Sequence, residues 1–284
     1  MSPLPLLSFA VAFAMTGVCA AAAMADGSNA LTVVTVRNIA AVALLAAWLG
    51  FAGVSFALPA RDLGIAALVA IPLAANNYLL NAAFAYIPVP LAVLIFYLWP
   101  AITAAASGLL GHERVGWRLA VGLAAAFAGV ALALEVEFTA GQARGAWYAA
   151  GAAVAWSAAF LLTGRYYRGR STLVPTFYMM GTTLVFFGLA CVVTRAVAWP
   201  GSAAGWTAMG GVGVFYAFGL IGLFAASARL GPARAGFFMN FEPVAAVVLA
   251  ALILGQRLAP VQLAGAALVV AALFLFRPPP PRRP

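Results

Sequence analysis

Charge is what this sequence has least of. Of 284 residues, 15 are basic and 6 acidic, 7% in all, against roughly 25% in a typical soluble domain. With 66% of residues hydrophobic, too little polar surface remains to coat a soluble particle, and a soluble enzyme is excluded. Lysine is absent, and the arginines stand singly between apolar runs rather than in a stripe. The net charge of +9 therefore does not point to nucleic acid. Cysteine is scarce too: Cys19 and Cys191 each lie inside an apolar run, which excludes a disulfide framework and leaves them as packing residues. A single histidine, with no clustered acids in the apolar segments, offers nothing from which to build a metal centre, a cofactor site or an intramembrane catalytic constellation.

What the sequence does have is long apolar runs. A helix needs about 20 such residues to cross a hydrocarbon core about 30 Å thick, and ten segments meet that length. They run from Leu4 to Ala25, Ala30 to Ala52, Leu63 to Tyr86, Pro90 to Leu110 and Val115 to Leu134. The second set runs from Gly145 to Gly164, Leu173 to Ala198, Ala204 to Ala228, Ala233 to Leu254 and Pro260 to Phe276. Breakers such as Asp26-Gly27-Ser28-Asn29, Ile87-Pro88 and Trp199-Pro200-Gly201-Ser202 separate them. The expectation is an all-α membrane protein of ten transmembrane helices with no soluble domain. The first segment is read as a span rather than a signal peptide, because no basic residue precedes Arg37 and the apolar run exceeds the usual 7–15 residues.

The arginines orient the bundle. With the N-terminus inside, eleven fall in inner loops or the tail (Arg61, Arg114, Arg118, Arg165, Arg168, Arg170, Arg229, Arg234, Arg277, Arg282, Arg283) and three outside (Arg144, Arg195, Arg257). Both termini are expected in the cytoplasm. The sequence also pairs with itself: Pro100 and Pro243, Arg114 and Arg257, Gly122 and Gly265, and Phe13 and Trp156 each stand 143 residues apart. Five spans per copy is odd, so the second copy enters from the opposite side. The expected domains are two inverted repeats, residues 1–143 and 144–284, an architecture of secondary transporters with a substrate site at the repeat interface.

Several stretches carry a family resemblance: Ala228-Arg229-Leu230-Gly231-Pro232-Ala233-Arg234-Ala235, Phe241-Glu242-Pro243-Val244 and Leu254-Gly255-Gln256-Arg257-Leu258 in the second half. Val36-Arg37-Asn38, Leu98-Trp99-Pro100 and His112-Glu113-Arg114 match in the first. The sequence resembles EamA-type transporters of the drug/metabolite transporter superfamily over nearly its whole length. It departs from the pattern at Gln256, where the family usually has glutamate, and at Phe13, where a motif like Trp156-Ser157 would be expected. The resemblance implies a ten-helix metabolite exporter of the bacterial-type inner membrane, a monomer in the lipid bilayer that takes amino acids, aromatic ones foremost. Export of a nucleoside, purine or drug, or a static channel or scaffold, is the alternative.

Polar residues within the spans are the site candidates. Asn77 and Asn81 share one helix face and Asn76 lies about 100° away, so the first pair, with the adjacent Tyr78, is favoured as cavity lining. Their alternative role is interhelical glue. Phe96, Tyr97 and Trp99 precede Pro100, which should loosen the helix. The repeat sets Tyr97 against Asn240 and Trp99 against Glu242, while Tyr97 and Trp99 point about 200° apart, so at most one faces the substrate. Trp156 joins the same cavity, whereas Trp147 and Trp206 belong at the interface. The cavity set is thus Asn77, Tyr78, Asn81, Tyr97, Trp99, Trp156 and Asn240, with hinges at Pro100 and Pro243. Two charges remain at depth, Arg37 and Glu242, about 11 Å and 14 Å from opposite ends of their helices. In a core about 30 Å thick these depths differ by about 5 Å, so they are expected to pair; alternatively Glu242 is a proton-coupling carboxylate.

Overall fold

The computed structural model describes residues 4–111, 115–134, 142–254 and 259–275. The repeat markers Arg114 and Arg257, with His112 and the Arg/Pro-rich tail from 277 to 284, lie outside the described residues. The rest is helical: α1 (Leu4–Ala25), α2 (Ala30–Phe51), α3 (Ala60–Ala83), α4 (Val89–Phe96), α5 (Trp99–Leu109), α6 (Trp117–Ala133), α7 (Ala143–Tyr166), α8 (Leu173–Thr194), α9 (Ala203–Leu230), α10 (Pro232–Met239), α11 (Phe241–Leu254) and α12 (Pro260–Leu275). Taking α4–α5 and α10–α11 as one run each, eight runs are long and apolar enough to cross a membrane; α6 and α12, of 17 and 16 residues, are shorter.

Local chemistry sets the ends. Asn29 and Ser202 cap α2 and α9, accepting from the backbone N–H of Thr32 at 2.8 Å and of Gly205 at 3.1 Å. Gly231 alone joins α9 to α10, at a φ of 94° that a side chain would resist. The two broken runs have one cause. A proline ring clashes with the carbonyl four residues back, and α4 stops at Phe96, four before Pro100, while α10 stops at Met239, four before Pro243. The loosening expected at the prolines is thus displaced one turn toward the N-terminus.

The elements repeat as the sequence does. Helices α8, α9, α10 and α12 each begin 143 residues after α2, α3, α4 and α6 respectively. Packing follows the same exchange: α1 lies along α9 as α7 lies along α3, α2 packs against α8, and α6 against α12. The principal contacts therefore run between the halves rather than within them. The largest buried cluster joins Leu6 and Ala10 of α1, Trp156 and Phe160 of α7, and Tyr216 and Phe224 of α9.

Small residues let the helices approach. Gly129, Gly211 and Gly213 sit in close contacts, while Gly210 faces open space. At the α6–α12 crossing a Cβ on Gly265 would sit against Ala133 N and 2.6 Å from the Gly129 carbonyl oxygen, both rigid backbone. Gly265→Ala is expected to cost about 1–3 kcal/mol by overpacking, seen as a lower unfolding midpoint in detergent. An unchanged midpoint would mean the two helices can part freely.

Candidate functional site

A cavity of about 360 Å³ lies between α1, α2, α3 and α4, the middle of α7 and α9, and the first turn of α11. It opens at the end of the bundle that carries Asp26, where Met24 and Val89 in its wall are 41% and 53% exposed. Its deep wall is aromatic: Phe13, Phe96, Trp99, Trp156 and Tyr216. These rings meet edge to face, Phe13 with Trp156 at 6.4 Å and with Tyr216 at 6.0 Å, Trp99 with Trp156 at 6.2 Å. That arrangement fixes the rings against one another in the cavity wall.

Two charged side chains reach this space, Arg37 from α2 and Glu242 from the first turn of α11. The expected pair between them does not form; the ion pair seen among the described residues is Asp62–Arg170. Arg37 is held instead by neutral groups. One of its terminal N–H groups donates to Asn77 Oδ1, its guanidinium lies 4.2 Å from the centre of the Tyr216 ring, and its Nε has no partner. A cation over an aromatic face is stabilised without a counter-ion, so Arg37 can stay in place with its charge uncompensated. Glu242 has the Tyr97 hydroxyl beside it, close enough to interact with the carboxylate.

The other candidates divide. Asn77, Asn81, Trp99 and Trp156 line the cavity, and so does Asn76. Asn76 also donates to the Ala152 carbonyl of α7 at 3.1 Å, so lining and glue coexist on one helix. Tyr78 turns away, 58% exposed on the outer face of α3. Tyr97 is buried on the far side of the α4–α5 break with Leu94, Phe237 and Val244, and Asn240 is buried and donates to the Phe237 carbonyl. The expected opposition of Tyr97 and Asn240 across the cavity is therefore absent: at the breaks Tyr97 turns into the cluster of Phe237 and Val244 with Leu119 and Leu123 of α6, and Asn240 turns back onto the end of α10. Pro100 and Pro243 are buried at the breaks and do not line the cavity. Trp147 and Trp206, 77% and 49% exposed, lie outside it.

Among the rings of the deep wall, Phe13, Phe96 and Tyr216 stand outside the cavity set expected from the sequence. Phe13 had a signal, standing at the repeat position of Trp156. Tyr216 had a weaker one: it sits mid-helix, far from either end of α9, where an interfacial tyrosine has no place.

The opposite end of the bundle, which carries Asp62, is shut. Arg170 in the α7–α8 turn forms two hydrogen bonds to the Asp62 carboxylate, at 3.1 Å and 2.5 Å, which hold the guanidinium still further above its ordinary range. Tyr167 donates to the Asp62 carbonyl at 3.1 Å; burial pushes its phenol up to about 12, so the hydroxyl keeps the proton it donates. Gly169, at φ 71°, donates to the Ala228 carbonyl and ties the same turn to α9.

A sequence model of the EamA-like transporter family matches residues 3–134 and again 143–277, one match in each half. No curated protein matches the sequence. A protein of known crystal structure is similar over 95% of this chain and 96% of its own length, with a TM-score of 0.79 at 19% identity. That likeness shows a shared fold.

Proposed function

The chain belongs to the EamA-like transporter family, which makes it a multi-pass membrane protein of transporter type, and from that premise we propose that it exports amino acids, aromatic ones foremost. One observation carries the reading: the cavity presents a guanidinium and a carboxylate that are not spent on each other. A free amino acid brings the complementary charges. Its carboxylate meets Arg37, whose fork geometry suits it, and its ammonium meets Glu242. The aromatic wall takes the side chain. A volume of about 360 Å³ falls at the small end of the range of about 300–1,000 Å³ for small-molecule sites.

The transport cycle is alternating access between two inverted five-span halves, 1–143 and 144–284, with α4–α5 and α10–α11 each crossing as one broken span. Discontinuous helices at mid-depth are where such carriers place their substrates. The arginine distribution supports an orientation with both termini in the cytoplasm, the membrane being a bacterial-type inner membrane in this reading; the cavity then faces outward and the Asp62 end inward. Flexing occurs at the breaks set by Pro100 and Pro243, and the monomer is the working unit.

Counterflow in proteoliposomes tests the substrate. Vesicles preloaded with unlabelled tryptophan or phenylalanine are expected to accumulate the labelled amino acid transiently and saturably. Stimulation by nucleosides but by no amino acid would replace the substrate assignment; no exchange with any solute of the panel would mark a static scaffold.

A further inference from the structure

The two ends of the bundle are built from corresponding positions and hold them in opposite arrangements. Gly17 and Ala21 of α1, with Phe84 and Val89 at the α3–α4 corner, line the open cavity. Gly17, Ala21 and Val89 are exposed, and a Cβ on Gly17 would meet nothing within 4 Å. The positions 143 residues later are Phe160, Gly164, Ser227 and Pro232. They lie at the Asp62 end, and all four are buried. There Ser227 Oγ donates to the Phe160 carbonyl at 3.1 Å, and a Cβ on Gly164 would stand 2.8 Å from Pro232 Cδ and 3.0 Å from Ser227 Oγ. Helix α7 is thus pressed onto the α9–α10 corner, whereas the cavity separates α1 from the α3–α4 corner.

The side chains on the two ends are matched in bulk. At the shut end a phenylalanine on α7 faces a serine on α9; at the open end a phenylalanine after α3 stands opposite a glycine on α1. Gly164 opposes Pro232 at one end, and Ala21 opposes Val89 at the other. Each set pairs one large group with one small one, so the open set can close to a density like that of the shut one without overpacking.

We infer that Phe160, Gly164, Ser227 and Pro232 are the inner gate of the carrier, shut in this structure, and that Gly17, Ala21, Phe84 and Val89 are its outer gate, standing open. The two gates exchange arrangements in turnover, and the Asp62–Arg170 pair latches the α7–α8 turn over the inner one. The assignment rests on the alternating-access reading above but not on the identity of the substrate.

The test uses two single-cysteine reporters in the full chain, Ser227→Cys and Gly17→Cys, each with Cys19 and Cys191 changed to serine. Both are followed by their labelling rate with a water-soluble maleimide in detergent. Without further change, the Gly17→Cys reporter should label at least tenfold faster than the Ser227→Cys reporter. Gly164→Leu wedges α7 from Pro232 and is expected to reverse that order, speeding the inner reporter and slowing the outer one. Arg170→Ala, which removes the latch without touching the gate, should move both rates in the same directions by a smaller factor, and it serves where the wedge prevents folding. Inner labelling that rises while outer labelling stays constant would reveal local damage and overturn the exchange, as would rates unmoved by either change. These rates are read without substrate. Reciprocal labelling with no amino-acid counterflow would therefore leave the gates standing and remove the substrate, and the converse pattern would do the opposite.

Discussion

Arg37→Ala is expected to weaken substrate binding by roughly a hundredfold while leaving the protein folded. Truncating one partner of a buried charge pair costs about 2–5 kcal/mol, and at about 1.4 kcal/mol per factor of ten a hundredfold, about 2.8 kcal/mol, lies in the lower half of that range. Because Arg37 is held by Asn77 and the Tyr216 ring rather than by an acid, its removal strands no carboxylate and should cost the empty protein little. Arg37→Lys keeps the charge but loses the planar fork and the stacking that suits a guanidinium to tyrosine, so it should recover only part of the affinity. The half-saturation concentration for counterflow, set beside the unfolding midpoint, separates binding from stability. Unchanged half-saturation in the alanine variant would remove Arg37 from the site.

The second large effect is expected at Glu242. If this carboxylate releases a proton when it accepts an ammonium, export is coupled to proton entry, one for one. A difference of one pH unit is then worth about 1.4 kcal/mol and sustains roughly tenfold accumulation of substrate. Glu242→Gln retains the shape and some hydrogen-bonding capacity but cannot carry the proton. Proteoliposomes holding the variant should equilibrate the amino acid and not concentrate it, whatever pH difference is imposed. Tenfold accumulation by the variant would exclude Glu242 from coupling, whereas a wild type indifferent to the gradient would make the carrier a uniporter.

Much of this arrangement could be read along the chain because its causes are local. Apolar length gave the helices, and the spacing of sparse residues such as Pro100 and Pro243 gave the duplication. The ring of each proline acts on a carbonyl one turn back, so the breaks fall one turn before the prolines at which the sequence led us to expect them. The failures share a different origin. Depth along a helix axis brought Arg37 and Glu242 to nearly one level, but depth says nothing about which neighbour a side chain turns toward. The contact that holds Arg37 comes from Tyr216, on a helix far away in sequence, and no spacing within α2 encodes it. Tyr97 and Trp99 illustrate the intermediate case: their angular separation required one to leave the cavity, and only the cluster of Phe237, Val244 and Leu119, brought together from distant parts of the chain, decided that it was Tyr97.

The interleaved contacts have a consequence for how the protein is made. Helix α1 lies along α9, whose last residue is made about 200 residues later, and ribosomes add about 5–20 residues per second. For roughly 10–40 seconds the early helices must wait in the lipid without their main partners. During that interval the Arg37 guanidinium has Asn77 within its own half but not the Tyr216 ring, so a polar side chain on α3 also shelters a nascent charge. A ribosome stalled between the halves would leave α1 to α6 without the helices they mainly pack on. Half-length fragments are accordingly expected to be substrates for membrane proteolysis unless both are synthesised together.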